Sequence, residues 1–402
     1  MGAQLRMYNV GFGDAFLLCE QEENLIVDLG SIQSGFSFTF ILDSIRKESA
    51  NKRLSLLLTH LHKDHWSGLK DQPIGHRLPD MECVYLADLF GMRVRGKLDV
   101  IVCSLLADLL EAVILNAAPR FTLADLLLEV LPSIKRGKVC FLKQGDIFSI
   151  GATEYEVLWP RITGKDVLRR NSPELRAFLK EVEGVLEEMG GGERLWDTVE
   201  ALGDSILSEV ARETGYHLQF DYWPDNQRTY ETIYERAEGI RRRLSVAIER
   251  SRDGKLAEQF GHYADRLKKE WNKVSVVFQN REDLERGNLL MTGDVTNSIL
   301  NRLVLKKLGP PYLKDHYTII KAPHHGTTDY FCTRLPGCEH ICISNGEGNA
   351  GYQKITDQYA RVYGCLGKRA QLHCTNPRCD YYDHGGPCPC CIDPPQAGYE
   401  IL

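Results

Sequence analysis

At 402 residues the chain exceeds what one ordinary core organises, so two or three units are expected. Its 43% apolar content excludes a disordered chain, and a net charge of −6 excludes a broadly basic surface, so any nucleic-acid contact must use a local patch. No uncharged apolar window is long enough to span a bilayer; the best, Ser104–Pro119, is broken by Asp108 and Glu111.

The first residues lack the order of a signal peptide, and 13 cysteines, an odd number unevenly spread, favour reduced thiols and metal ligands over a disulfide framework. A soluble, cytoplasmic protein with no membrane association is expected.

The opening half alternates strand-like and turn-like pieces. Leu5–Val10 runs into the glycine turn Gly11-Phe12-Gly13, and strand-like Ala15–Cys19 follows. A further strand over Asn24–Leu29 stops at Gly30, and Phe38–Lys47 has helical spacing. Leu54–Thr59 is a nearly continuous apolar run, which predicts a strand buried on both faces. Helical spacing dominates Leu86–Ser133, above all Ile101–Leu115 and Ala124–Leu131. Strands resume at Val139–Leu142, Ile147–Ile150 and Tyr155–Trp159. Strands alternating with helices predict layered α/β packing.

Residues 161–271 change texture. They are rich in charge and helix formers, are interrupted at Gly190–Gly192, and give way to strand character only at Val274–Phe278. A helical insertion is expected here. It is acidic around Glu181, Glu183, Glu187 and Glu188, and basic at Arg241, Arg242, Arg243, Arg250, Arg252, Lys268 and Lys269. Such runs form solvated helix faces or, in the sharper reading, a docking surface for a protein partner or for phosphate backbones.

The chemistry concentrates in Leu56-Leu-Leu-Thr-His60-Leu-His62-Lys-Asp64-His65-Trp-Ser-Gly68. A buried strand delivers four ligand-type side chains at its C-terminal end. His60 and His62 are two apart, so extended backbone points both imidazoles to one side. Asp64 and His65 follow where the chain turns toward a helix and can aim at a neighbouring position. One loop can therefore serve two adjacent ions, and imidazole with carboxylate suits zinc while tolerating manganese or iron.

His60-x-His62-x-Asp64-His65 resembles the signature of the metallo-β-lactamase fold, whose members are mostly two-metal hydrolases. Leu289-Leu-Met-Thr-Gly293-Asp294 and Lys321-Ala-Pro-His324-His325-Gly326-Thr327 resemble motifs of one branch. That branch includes the nuclease-like domain of bacterial DNA-uptake competence proteins and the phosphorylcholine esterases. Val10-Gly-Phe-Gly-Asp14, Ile26-Val-Asp28-Leu-Gly30, Trp159-Pro160 and Asn272-Lys-Val-Ser275 match its remaining strands. The resemblance covers about residues 1–160 and 272–372 in family order. It implies an αββα sandwich of two halves, with the insertion 161–271 between them and a Cys/His-rich tail over 373–402. It also implies two divalent ions, zinc or manganese, held by His60, His62, Asp64, His65, Asp294 and His325, with Asp294 bridging. Asp64, Asp294 and His324 become the catalytic residues, His324 as a proton donor or as a positioned structural histidine. Asp14 is expected to support the ligands, and Lys321 to bind phosphate or lie in solvent.

Two departures stand out. The extra histidine many members place between these motifs has only His76 as a counterpart, in a Pro/Gly-rich loop that reads as solvated. The stretch where a late histidine often completes the Asp-His site, Asn349-Ala-Gly-Tyr-Gln353, has none.

The tail reads His373-Cys374-x4-Cys379, His384, then Cys388-Pro-Cys390-Cys391. Cys374, Cys379, Cys388 and Cys391 could enclose a structural zinc that supplies the stability this apolar-poor segment lacks, or the end is a reduced, flexible one. Cys19, Cys83, Cys103, Cys140 and Cys342 read as core thiols.

The resemblance thus implies a phosphodiesterase in which two ions activate water, most directly a nuclease with DNA as substrate. A small phosphoester hydrolase using the insertion as a lid is the nearest alternative. A partner-recruited subunit of a larger assembly, on the analogy of a bacterial antiviral defence effector, is the third.

Overall fold

The apolar runs become two seven-stranded sheets in the computed structural model, which describes residues 4–70, 72–94, 96–161, 173–190, 194–215, 230–250, 254–284, 287–345, 359, 370–375 and 399–401. β1 (Gln4–Met7), β2 (Ala15–Cys19), β3 (Glu23–Leu29), β4 (Arg53–Leu57), β5 (Met81–Ala87) and β6 (Lys135–Leu142) build the first sheet. β7 (Ile147–Ile150), β8 (Thr153–Trp159), β9 (Val277–Asn280), β10 (Leu289–Met291), β11 (His316–Lys321), β12 (Gly337–Ile343) and β13 (Gln371–Cys374) build the second, while β14 (Tyr399–Glu400) returns to the edge of the first. The orders are β14-β1-β2-β3-β4-β5-β6 and β13-β12-β11-β10-β9-β8-β7.

Both sheets are mixed. β1, β2 and β3 are antiparallel neighbours, whereas β3, β4, β5 and β6 run parallel. The second repeats the plan, antiparallel from β7 to β10 and parallel from β10 to β13. The parallel strands read as continuous apolar runs because both faces are covered: every residue of β3 is buried, and Leu54, Leu56 and Leu57 of β4 are at most 2% exposed. Aromatic rings from the two sheets meet, with Tyr85 of β5 4.9 Å from Phe148 of β7.

One helix, Thr39–Glu48, buries Ile41, Leu42 and Ile45, and another, Asn297–Val304, buries Ile299, Leu300 and Leu303 in a cluster with Leu290, Ile320 and Ile341. Each such side chain contributes about 1.5–3 kcal/mol. At Val274 the expected strand is instead a 3-10 turn, Trp271–Val274, and the strand proper begins at Val277.

The chain divides into two compact units, one of residues 1–87, 134–161 and 272–402, the other of residues 88–133 and 162–271. Residues 88–133, read from the sequence with the α/β half, thus cluster with the helical stretch. In this second unit Val100–Ile114 is buried at nearly every position, which is why its sequence shows little amphipathic contrast. It is accompanied by the helices Pro173–Glu188, Leu195–Thr214, Tyr230–Arg250 and Lys255–Lys268. Arg93 ties this unit internally, 2.6 Å from Asp99 and 2.9 Å from Asp204.

No helix among the described residues is long and apolar enough to cross a membrane. Asn349–Gln353 and the tail residues Cys379, His384, Cys388, Cys390 and Cys391 lie outside the described residues.

Candidate metal centre

The centre is assembled where chain leaves the C-terminal ends of β4, β10 and β11, the position at which parallel strands expose loops to one common edge. After β4 the chain is pinned by Asp28, the last residue but one of β3. Thr59 donates to it through its backbone N–H at 2.8 Å and its hydroxyl at 2.7 Å. Asp28 adopts a left-handed backbone (φ 58), a conformation that costs an ordinary residue about 1 kcal/mol and concentrates at working sites. Beyond it, Lys63–Trp66 forms one helical turn, locked by Trp66 Nε1 donating to the Leu61 carbonyl at 3.0 Å. The glycines beneath this turn are required. A Cβ on Gly30 would fall 2.4 Å from the Asp64 carbonyl carbon and the His65 nitrogen.

His60 and His65 are buried, His62 and Asp64 half-buried. His60 Nε2 lies 2.9 Å from His62 Nδ1, so the two imidazoles converge as their spacing predicts. The second convergence is tighter. His65 Nε2 and His325 Nε2 each lie 3.3 Å from Asp294 Oδ2, and His325 Nε2 is 3.2 Å from Asp64 Oδ2.

Hydrogen bonds on the far side of each ring fix what these nitrogens present. His325 Nδ1 donates to the Ser344 carbonyl at 2.9 Å, and a carbonyl can only accept. His65 Nδ1 donates to Asp28 at 2.8 Å. In the neutral rings both Nε2 atoms therefore carry lone pairs, and both face carboxylate oxygens. Lone pairs opposed at 3.2–3.3 Å repel unless something positive lies among them.

The charge balance says the same. Asp14, Asp28 and Asp294 are buried and Asp64 is half-buried, and facing them is the buried ammonium of Lys321, 1% exposed. Burial opposes the charged forms of His65 and His325, yet the surrounding carboxylates, Asp294 foremost, outweigh it and hold both imidazoles well above the usual histidine range. His60 moves the other way, because burial and its histidine neighbours hold it neutral. The chain thus builds a buried concentration of negative charge that draws protons or metal cations, with donor types that suit zinc or manganese.

Asp14, His65, Asp294 and His325 can hold a metal ion, with donor atoms all within 4.8 Å of one another. Within this group Asp14 plays a different part from the rest. Its Oδ2 is 2.5 Å from Lys321 Nζ, and its Oδ1 sits 3.2 Å from His325 Nδ1, behind the ring.

His324 and His325 both adopt left-handed backbone, followed by Gly326 at φ 75, and this sharp turn directs the two rings differently. The Thr327 hydroxyl donates to the His324 carbonyl at 2.9 Å, so it accepts from His324 Nδ1 at 2.7 Å. That leaves a lone pair on Nε2, 4.0 Å from Asp294 Oδ2. Tyr330 stacks on the same ring at 3.8 Å and 7°, held by Asn272 donating to its hydroxyl at 2.9 Å. Burial lowers His324 to about 4, which keeps the ring neutral and leaves its Nε2 lone pair able to bind a cation.

Other expectations are corrected. Lys321 is neither solvated nor free for phosphate; it is buried and paired with Asp14 and with Asp294 at 3.1 Å. His76, by contrast, is as expected: partly exposed and away from the ligands, bonded to Asp43 at 2.8 Å. Cys83 and Cys140 are half-buried with their sulfurs 3.4 Å apart, not core thiols. Cys374 is 1% exposed and belongs to the apolar cluster of the second sheet, while the other proposed tail ligands, Cys379, Cys388 and Cys391, lie outside the described residues. Asp28 was the residue sequence reasoning missed. Its signal was an aspartate directly after the apolar run Leu25-Ile-Val27 and immediately before Leu29-Gly30.

No protein-family model matches this sequence, and no curated protein matches it. Solved structures that resemble the chain include a protein of unknown function from Enterococcus faecalis, with 11% identity and a TM-score of 0.20 over 39% of this chain and 37% of that one. Another is an archaeal metallo-β-lactamase superfamily protein from Sulfolobus tokodaii, with 13% identity and a TM-score of 0.20, covering 60% of this chain and 97% of that one. A β-lactamase domain protein from Burkholderia ambifaria has 13% identity and a TM-score of 0.21, covering 61% of this chain and 86% of that one. Likeness of this degree carries no functional argument, which rests on the residues of the centre themselves.

Proposed function

We propose that the chain is a metal-dependent hydrolase of phosphodiesters, with nucleic acid as the leading substrate class. The observation that carries the reading is the opposition of the His65 and His325 Nε2 lone pairs to Asp294 and Asp64, a donor set that a divalent cation satisfies. Asp64, His65, Asp294 and His325 would hold one ion, and His60 and His62, with Asp294 shared, a second. Divalent ions supply Lewis acidity toward a phosphoryl oxygen and make bound water acidic near neutrality.

The chain's own residues do the rest. Asp28 and Ser344 fix the tautomers of His65 and His325, and Lys321 holds Asp294 Oδ1 so that Oδ2 faces the histidines. His324, clamped by Thr327 and Tyr330, presents its Nε2 lone pair beside Asp294. Lys63 is exposed between His62 and Asp64, where its charge can meet a substrate anion.

The test is a panel of single-stranded DNA, duplex DNA, RNA and bis-p-nitrophenyl phosphate, assayed with zinc and with manganese alongside Asp294→Ala. Turnover of none of them by metal-loaded protein would overturn the reading. Cleavage of bis-p-nitrophenyl phosphate without any polymer would favour a small phosphoester as substrate.

A further inference from the structure

We propose that His340 and His373 form a second, separate transition-metal site at the edge of the second sheet. It stands independently of the hydrolase reading. β13 is the last strand of that sheet and pairs in parallel with β12 over His340↔Gln371, Ile341↔Leu372, Cys342↔His373 and Ile343↔Cys374. Neighbouring residues on a strand project to opposite faces. Cys374 enters the apolar cluster, and His373 goes the other way, to meet His340 from the adjacent strand. His340 Nδ1 and His373 Nε2 are 3.0 Å apart, with ring centroids at 5.2 Å.

Two imidazoles bound to one zinc-sized ion at the usual bond length bring their nitrogens to about 2.9–3.4 Å, depending on the angle at the metal. The pair meets that requirement, and it repeats the 2.9 Å convergence of His60 and His62. The sheet supplies the rigidity: both side chains stand on hydrogen-bonded strands, so little ordering remains to be done on binding. His373 is 8% exposed and His340 half-buried, so solvent reaches the pair from the His340 side. Imidazole donors of this kind select zinc, copper or nickel over calcium or magnesium.

The test compares full-length protein with His340→Gln and His373→Gln, using cobalt(II) as the probe and following both bound equivalents and visible absorption. Each variant should bind about one equivalent less than the parent, with ligands at the candidate centre untouched. Cobalt should also raise the melting temperature less in either variant than in the parent, a readout of native-state binding. Equal stoichiometry in parent and both variants would overturn the proposal and leave a plain histidine–histidine hydrogen bond. So would loss of an equivalent that carries thiolate-to-cobalt charge-transfer absorption, because that metal would sit on cysteines. Either result leaves the hydrolase reading intact, since its metal and activity would be unchanged.

Discussion

Lys321 Nζ lies 2.5 Å from Asp14 Oδ2 and 3.1 Å from Asp294 Oδ1, so one buried ammonium ties the opening glycine loop to the Gly-Asp loop of the second sheet. Removing one partner of a buried ion pair leaves the other charge uncompensated, typically at a cost of about 3–5 kcal/mol. Lys321→Met should therefore destabilise the chelator-treated protein by about that amount in urea unfolding. Adding Asp14→Asn to it should recover part of the loss. A change below about 1 kcal/mol for Lys321→Met would show that the ammonium does not neutralise these carboxylates.

Asp64 and His65 are adjacent in sequence but differ in what they support. Asp64 is 13% exposed at its side chain and faces His325, while His65 is wholly buried and bonded to Asp28. Asp64→Ala should strip metal from the protein with little change in melting temperature after chelation. His65→Ala should lose metal and also destabilise the chelated protein by about 2–4 kcal/mol, because it opens a cavity and leaves Asp28 short of a partner. Equal melting temperatures for the two chelated variants would contradict this division.

That contrast shows what was legible in sequence. The donors announce themselves, since four ligand-type residues in six positions after an apolar strand have few other uses. The strands on either side were legible for the same reason, as apolar runs with glycine at their ends. Asp14 and Lys321 were noticed, but their pairing was not, and Asp28 was given no role, because what defines all three is whom they meet across the fold, and each stands alone in its own segment. The grouping of residues 88–133 with 162–271 was equally hidden: helical spacing marks a buried face without naming the partner that buries it.

The basic run Arg241-Arg242-Arg243 divides by direction, as successive helix positions must. Arg241 is 8% exposed and bonded to Glu238 at 2.7 Å and to Asn116 at 2.9 Å, whereas the Arg242 side chain is 72% exposed. Arg241→Glu should thus destabilise the helical unit by several kcal/mol, with a lowered melting temperature as the readout. Arg242→Glu should stay within about 0.5–1 kcal/mol of wild type and is the variant suited to testing docking. Weaker nucleic-acid binding with a shallower salt dependence in Arg242→Glu would place phosphate contacts on this face.

Glu20 is 6% exposed, and burial raises its pKa above the usual carboxylate range, although Thr153 donates to it at 2.7 Å and Tyr155 at 3.4 Å. A carboxyl whose folded pKa is raised contributes most below its unfolded value, and that contribution is lost as pH rises through the folded pKa. Wild-type stability should therefore decline from about pH 4.5 upward for this group. Glu20→Gln keeps an acceptor for Thr153 without the buried charge. It should be the more stable protein at pH 7 and should lack that part of the decline. Identical stability–pH profiles would mean that the wild-type carboxylate is as well solvated folded as unfolded.

The glycines under the ligand loop make the sharpest case for geometry over composition. A methyl group on Gly30 would sit 2.4 Å from Asp64 C and His65 N, backbone atoms that cannot rotate aside, so Gly30→Ala must displace the turn that carries both ligands. The displacement should lower metal affinity at the centre at least about tenfold, since ligand sites tolerate only about half an ångström of misplacement. Gly184 makes the comparison. It lies within the helix Pro173–Glu188 with nothing inside 4 Å of an added methyl, and there the same substitution should stabilise by up to about 1 kcal/mol through helix propensity alone. Measured together by calorimetric metal titration and thermal melting, the two alanines should move in opposite directions. If Gly30→Ala binds zinc as tightly as wild type, the close approach between the Gly30 turn and the Asp64–His65 backbone is not what sets the ligands.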